Sequence, residues 1–273
     1  MSLKKNILKN GIASVLQKLV RVLEQLLLVP FFIASWGAAY YGEWLTLTII
    51  PSVLAFSDLG FGSAAANSFV LRYASGNKSE AVNIAKTGFV IISLTVVGGI
   101  VIGGIVLTLI DQFHLLKNSL ISTGDAVWSL SFLITARLLT FYSQLFEAYF
   151  RAARKAAKGI NLSTVCSGLN IIAGFIVLWM GYGVMAFALS QLVVSVLFNI
   201  FYGWSAVAIL KLSKECKGYY TKSEAKEIIT KGFGYLMTPV WQTFLFQGTT
   251  IVVRLTLGPV AVAVFNTVRT LSR

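Results

Sequence analysis

Apolar runs of membrane-span length alternate with short basic stretches along this sequence. A hydrocarbon core of about 30 Å takes roughly 20 residues of helix. Runs of that kind occupy residues 11–36, 42–70, 88–110, 126–150, 160–180, 184–210 and 232–257. An eighth begins at Pro259 and is too short to span if it starts there. Membrane barrel strands would be about ten residues long with alternating polarity, and that alternation is absent. The pattern predicts an all-α, polytopic transmembrane helical bundle.

The first span has one polar face. At 100° per residue, Ser14, Gln17, Lys18, Arg21, Glu24 and Gln25 fall within an arc of about 120°, and the rest is Leu, Val, Ile and Phe. Lys18 and Arg21 can snorkel to the headgroups, and Glu24 can pair with either of them in a purely structural network. A solvated cavity face is the favoured alternative, because intramembrane charges usually face a cavity or a partner. The fourth span repeats the pattern, with Arg137, Thr140, Gln144 and Glu147 on one face and Ser143 beside them. Arg137 falls near mid-membrane and needs a partner or water, whereas Glu147 is read as an interfacial partner of Arg151 one turn on. Both polar faces are expected to meet in a shared interior.

In the second span Asp58 lies near the middle, after Pro51 and just before Gly60 and Gly62. Gly60 and Gly62 allow close packing or a local break, and a break frees backbone carbonyls to bind a cation. Asp58 is thus a candidate proton or ion site, with Glu24, or else a buried carboxylate paired with a base such as Lys18 or Arg137. The seventh span carries Gln242, Thr243, Gln247, Thr250 and Arg254 within about 140° of arc. Gly99 and Gly103 in the third span form a small-xxx-small packing pair.

Composition sharpens this picture. Only 12% of the 273 residues are charged and 56% are apolar, with 23 Lys and Arg against 10 Asp and Glu. The net charge of +13 clusters beside the apolar runs, which points to a lipid surface and a topology signal rather than to nucleic acid. Basic residues fill the N-terminal segment and the loops after the second, fourth and sixth runs. The opposite side carries only Lys117 and Arg254. The basic loops are therefore expected in the cytoplasm, with the N-terminus inside and the protein in a cell (inner) membrane. The N-terminal stretch is not read as a cleaved signal, since Lys18, Arg21 and Glu24 interrupt its apolar core. Cys166 and Cys216 do not suggest a disulfide framework, and His114 has no ligand partners. No Cys/His metal spacing, phosphate loop or nucleophile motif appears, so no metal, cofactor or catalytic residue is expected and the chain is not read as an enzyme.

A weak internal repeat organises the chain. Lys9-Asn-Gly11 opens a span that ends at Gly37, and Lys231-Gly232 opens one that ends at Gly258 at nearly the same separation. Such repeats build two transporter lobes around one site. The chain divides into a six-span lobe over 1–210, a linker over 211–231 and the start of a second lobe over 232–273. In the linker Thr221-Lys-Ser-Glu224 reads as a capping box that opens a helix continuing into the seventh span.

The Lys9–Gly11 opening, the Gly37, Gly42 and Trp44 set, the Asp58-Leu-Gly-Phe-Gly62 segment before a basic loop and Phe265-Asn-Thr-Val-Arg-Thr270 together resemble a known family. They are similar to the bacterial polysaccharide and O-antigen flippases of the multidrug/oligosaccharidyl-lipid/polysaccharide exporter superfamily. The resemblance runs along the whole chain and implies alternating access by two six-helix lobes. It implies a polyprenyl-pyrophosphate-linked oligosaccharide as cargo, moved from inner to outer leaflet, with polysaccharide assembly proteins as further partners. Family members have twelve to fourteen spans, so the chain is expected to be a fragment or a truncated product. For such a cargo Lys18, Arg21, Arg137, Arg254 and Arg269 offer cationic groups, since guanidinium makes paired bonds with phosphate oxygens. Gln17, Gln25, Gln144, Gln242 and Gln247 offer partners for sugars. A multidrug or cation antiporter of the same superfamily is the alternative, and a membrane glycosyltransferase or polymerase ranks third.

Overall fold

The structure, a computed structural model, describes residues 3–54, 60–113, 119–212 and 217–271. Asp58, His114, Lys117 and Cys216 lie outside the described residues, as does the side chain of Gln25. The described chain is helical throughout: α1 Leu3–Trp36, α2 Ala38–Leu47, α3 Ile49–Leu54, α4 Phe61–Ala74, α5 Lys78–Gln112, α6 Thr123–Ala152, α7 Ala156–Trp179, α8 Val184–Leu210, α9 Lys222–Leu257 and α10 Pro259–Leu271. Five of these, α1 (from Asn6), α5, α6, α7 and α8, are long and apolar enough to cross a bilayer. The protein is an all-α polytopic membrane bundle.

The second predicted span is not one helix. It is divided among α2, α3 and α4. Pro51 has no N–H for the carbonyl of Leu47, which separates α2 from α3 near Thr48. Gly60 then takes a left-handed conformation, φ 70°, and starts α4, a conformation with little steric cost only for glycine.

α6 is the hub, in contact with α3, α4, α5, α7 and α8. Its inward residues Leu130, Leu138 and Leu145 join Phe69 of α4 and Ile84 and Ile92 of α5 in the main core. Gly99 and Gly103 pack as the sequence predicts. A Cβ on them would stand 2.7 Å from Leu138 Cδ2 and 3.1 Å from Ile134 Cγ2, so α5 and α6 lie close together. Leu94, Trp179, Ile200 and Trp204 are exposed, as expected for side chains that meet lipid.

α9 runs unbroken from the linker through the seventh predicted span and packs along α4 and α5, while α10 packs on α2. Both α1 and α9 end at a positive-φ glycine, Gly37 at 78° and Gly258 at 85°. Backbones approach closely where α2 crosses α10 and where the start of α4 meets α9. A Cβ on Gly42 would stand 1.9 Å from the carbonyl oxygen of Pro259, and one on Gly60 would stand 2.2 Å from that of Gly232.

The expected capping box does not form. Thr221 is the N-cap of α9, but its side chain makes no capping bond. Its backbone N–H donates instead to Thr87 Oγ1 of α5 at 3.2 Å, and Glu224 Oε2 is buried without a hydrogen bond. Docking onto α5 has replaced the local bond of the box.

Candidate functional site

The polar face of α1 and that of α6 converge on a cavity of about 510 Å³, closed on the other sides by α7 and α8. Arg21 and Gln17 enter from α1, and Arg137, Thr140, Ser143 and Glu147 from α6. Helix spacing explains the set, because residues three, four and seven positions apart share a face. α7 and α8 add Ser163, Ser167, Asn170, Ser195 and Asn199.

Several of these groups are held in place. Gln17 Nε2 donates to Ser163 Oγ at 3.2 Å, linking α1 to α7. Ser143 Oγ donates to Asn199 Oδ1 at 3.0 Å, and Asn199 Nδ2 to the carbonyl of Ser195 at 2.9 Å. Asn170 Oδ1 is a buried acceptor without a partner. Among the described residues no carboxylate pairs with Arg21 or Arg137 within 4 Å, so two guanidinium groups face one cavity. Arg21 still feels the charge of Glu24 one turn on.

The polar surface continues around α6. Glu147 also lines a second pocket of about 310 Å³, with Ser63 and Asn67 of α4 and Gln144 and Arg151 of α6. Ser63 Oγ donates to Gln144 Oε1 at 2.7 Å. Arg151 Nη1 donates to Asn67 Oδ1 at 3.2 Å, and its Nε is buried without a partner. Arg151 thus reaches α4 rather than serving as the interfacial partner of Glu147.

A third pocket, about 190 Å³, lies between α1, α2, α9 and α10 and includes Tyr41, Gln247, Thr250, Asn266 and Arg269. Arg269 is engaged there. Nη1 donates to the carbonyl of Phe246 at 2.7 Å, and the guanidinium lies 5.6 and 5.1 Å from the ring centres of Phe246 and Phe265.

The remaining expected site residues are dispersed. Lys18 is exposed and lines none of these cavities. Glu24 is partly buried on α1, and Gln242 is exposed on α9. Arg254 is paired with Glu43 of α2. The sequence reading passed over Ser163, Ser167 and Asn170, although their spacing on α7 is that of a helical face. Glu43 carries no local sign of its role, since its partner lies 211 residues away. Among the described residues no three His, Cys, Asp or Glu side chains form a metal site.

No family model matches this sequence, and no curated protein does either. Solved structures do match in fold. An inward-facing multidrug resistance MATE family transporter of the MOP superfamily superposes with a TM-score of 0.71 at 15% identity, over 96% of this chain and 60% of that one. A MOP superfamily transporter from Pyrococcus furiosus, described as having a binding pocket of reverse polarity that suggests a different function, gives 0.69 at 18% identity over 98% and 60%. The MATE multidrug transporter DinF-BH, solved as a complex, gives 0.74 at 13% identity over 98% and 60%. The fold is that of these transporters, and the chain spans about three fifths of their length.

Proposed function

We propose that this chain supplies one lobe, and the start of a second, to an alternating-access exporter whose cargo is an anionic amphiphile. The best candidate is a polyprenyl-pyrophosphate-linked oligosaccharide, carried from the inner to the outer leaflet. The observation that carries the reading is the convergence of Arg21 and Arg137 on one polar cavity. A pyrophosphate concentrates negative charge, and guanidinium donors match its oxygens. Sites for drug-sized ligands run to about 300–1,000 Å³, so this cavity suits a diphosphate with an adjoining sugar rather than a whole glycan. Neutral polar groups such as Gln17, Asn170 and Asn199 supply the hydrogen bonds that sugar hydroxyls need. Asp58 and Glu24 are the candidates for coupling to an ion.

Multidrug antiport is the second reading, favoured by the structural neighbours that are multidrug transporters. The cavity's charge favours the anion. A binding experiment separates them. The protein carrying this chain is titrated in detergent with a polyprenyl pyrophosphate and, separately, with a lipophilic organic cation. The anionic reading expects pyrophosphate binding that weakens when Arg21→Gln and Arg137→Gln are combined. Cation binding that strengthens in the same double variant, with no pyrophosphate binding, would overturn it in favour of the antiporter.

A further inference from the structure

The segment that follows α8 is fastened to α5. A Cβ on Gly218 would stand 2.7 Å from Val82 Cγ1 and 2.9 Å from the Val82 carbonyl oxygen, so only glycine lets the chain pass this close. The backbone N–H of Tyr219 donates to Asn83 Oδ1 at 2.9 Å, and that of Thr221 to Thr87 Oγ1 at 3.2 Å. Asn83 and Thr87 lie four residues apart, on one face of α5. They give the linker backbone two successive acceptors.

This docking closes one side of a groove of about 530 Å³ between α5, α6 and α8. Its walls are apolar, from Ala85 and Phe89 of α5, Leu145 and Phe146 of α6 and Val207 of α8. Among the described residues, Lys86 and Lys217 are the charged ones that line it, and no carboxylate does. Both lysines are exposed, and among the described residues neither has an acid within 4 Å. Phe89 and Val207, which line it, are 41% and 40% exposed, so the groove opens on the outside of the bundle, where apolar side chains meet lipid.

We propose that this groove holds one anionic membrane phospholipid, with its phosphate between Lys86 and Lys217 and an acyl chain along Phe89, Phe146 and Val207. Basic pockets between helices at the charged face of a membrane protein recruit acidic headgroups, each Lys contributing about 1 kcal/mol near such a surface. A soluble anion would have no use for the apolar wall, and a neutral lipid would have none for the lysine pair. Because residues 217–219 form part of the lining, a bound lipid also holds the linker against α5 and thereby fixes where α9 begins. The inference rests on the membrane character of the chain and is independent of the exporter's cargo.

Native mass spectrometry of the detergent-purified protein, with phosphatidylglycerol and phosphatidylcholine added in equal amounts, tests this. The unchanged protein is expected to retain one phosphatidylglycerol in preference to phosphatidylcholine. Lys86→Gln with Lys217→Gln should lower that retention by about tenfold or more. Val207→Trp, which fills the groove from an exposed position and leaves both lysines, should lower it as well. Lys158→Gln with Lys226→Gln, exposed lysines that do not line the groove, should leave it unchanged. Amide exchange over 217–221 should slow on adding phosphatidylglycerol to the unchanged protein. Equal retention by the Lys86/Lys217 double variant, or an equal loss in the Lys158/Lys226 control, overturns the site. Full competition by glycerol 3-phosphate overturns the lipid as occupant.

Discussion

The carboxylate of Glu43, on α2, accepts a hydrogen bond from the guanidinium of Arg254, in the last turn of α9. Glu43 is buried, and its second oxygen accepts from Ser119 Oγ at 3.5 Å. The pair joins α2 to the last turn of α9. Removing one member leaves the other charge buried and unmatched, which costs about 3 kcal/mol. Glu43→Gln and Arg254→Gln should each lower the melting temperature in detergent, and the double variant should lose less than the two losses combined. Additive losses would show that the two side chains do not depend on each other.

Close backbone contact gives a second prediction. Gly42→Ala places a methyl against the Pro259 carbonyl, a backbone atom that cannot turn aside. α10 must move off α2, at a cost of about 1–3 kcal/mol. Gly98→Ala and Gly104→Ala on α5 meet nothing within 4 Å and should be neutral or slightly stabilising through helix propensity. Thermal melts of the three variants check this, and a Gly42→Ala protein as stable as the α5 pair would refute the tight crossing.

At the basic end Glu227 of α9 holds α4. It accepts from Lys231 Nζ at 2.6 Å and from Ser68 Oγ at 3.0 Å, and it lies 3.4 Å from Arg72, which also pairs with Glu80 at 2.8 Å. The Lys231 hydrogen bond foremost, then Ser68 and the charges of Lys231 and Arg72, hold the Glu227 carboxyl below its ordinary value despite some desolvation. A carboxylate whose value falls on folding stabilises the protein above its unfolded value and loses that contribution as pH falls through the folded one. The melting difference between the unchanged protein and Glu227→Gln should be present at neutral pH, amount to about 1 kcal/mol or less, and close in acid below the ordinary glutamate range. A difference that persists unchanged at the acid end would rule out the charge of Glu227 as its source.

The helices and their polar stripes were legible in the sequence because one period governs both. Arg21 and Arg137 are located by counting residues. Pairings between distant elements were not legible. Nothing local to Glu43 points to Arg254, and Glu227 follows a capping motif that says nothing of Arg72 or Ser68. Where local and tertiary bonds competed, as at Thr221, the local reading lost. The stripe on α7 was readable, but serines and one asparagine in an apolar run are a weak signal until a cavity gathers them.

Orientation in the membrane is tested by chemical access. Ser79 opens α5 at the basic end, and Leu120 lies in the connection before α6 and is 58% exposed. Single cysteines at these positions, with Cys166 and Cys216 replaced, should react with an impermeant thiol reagent from opposite sides in intact cells. Leu120→Cys should label from outside and Ser79→Cys only after the membrane is opened. Labelling of Ser79→Cys alone in intact cells would invert the topology.

The sharpest test of function lies with the two cavity arginines. Arg21 and Arg137 come from different helices, and Thr140 Oγ1 bonds back to the Arg137 carbonyl at 2.6 Å, keeping that hydroxyl off the guanidinium. If they hold the diphosphate of a lipid-linked glycan, Arg→Gln at either position in the protein carrying this chain should abolish polymer export at normal membrane levels. Loss of a charged hydrogen bond to a buried ligand costs about 1.5–3 kcal/mol, so the double variant should lose binding by well over tenfold. Arg→Lys separates charge from geometry. Lysine restores the charge but not the two-pronged donor set, so partial export with Arg137→Lys would assign the role to charge, and none would assign it to the paired bonds. Full surface polysaccharide from Arg21→Gln combined with Arg137→Gln would instead make both arginines structural. They would then only line a polar seam whose α1–α7 side the Gln17–Ser163 hydrogen bond already holds.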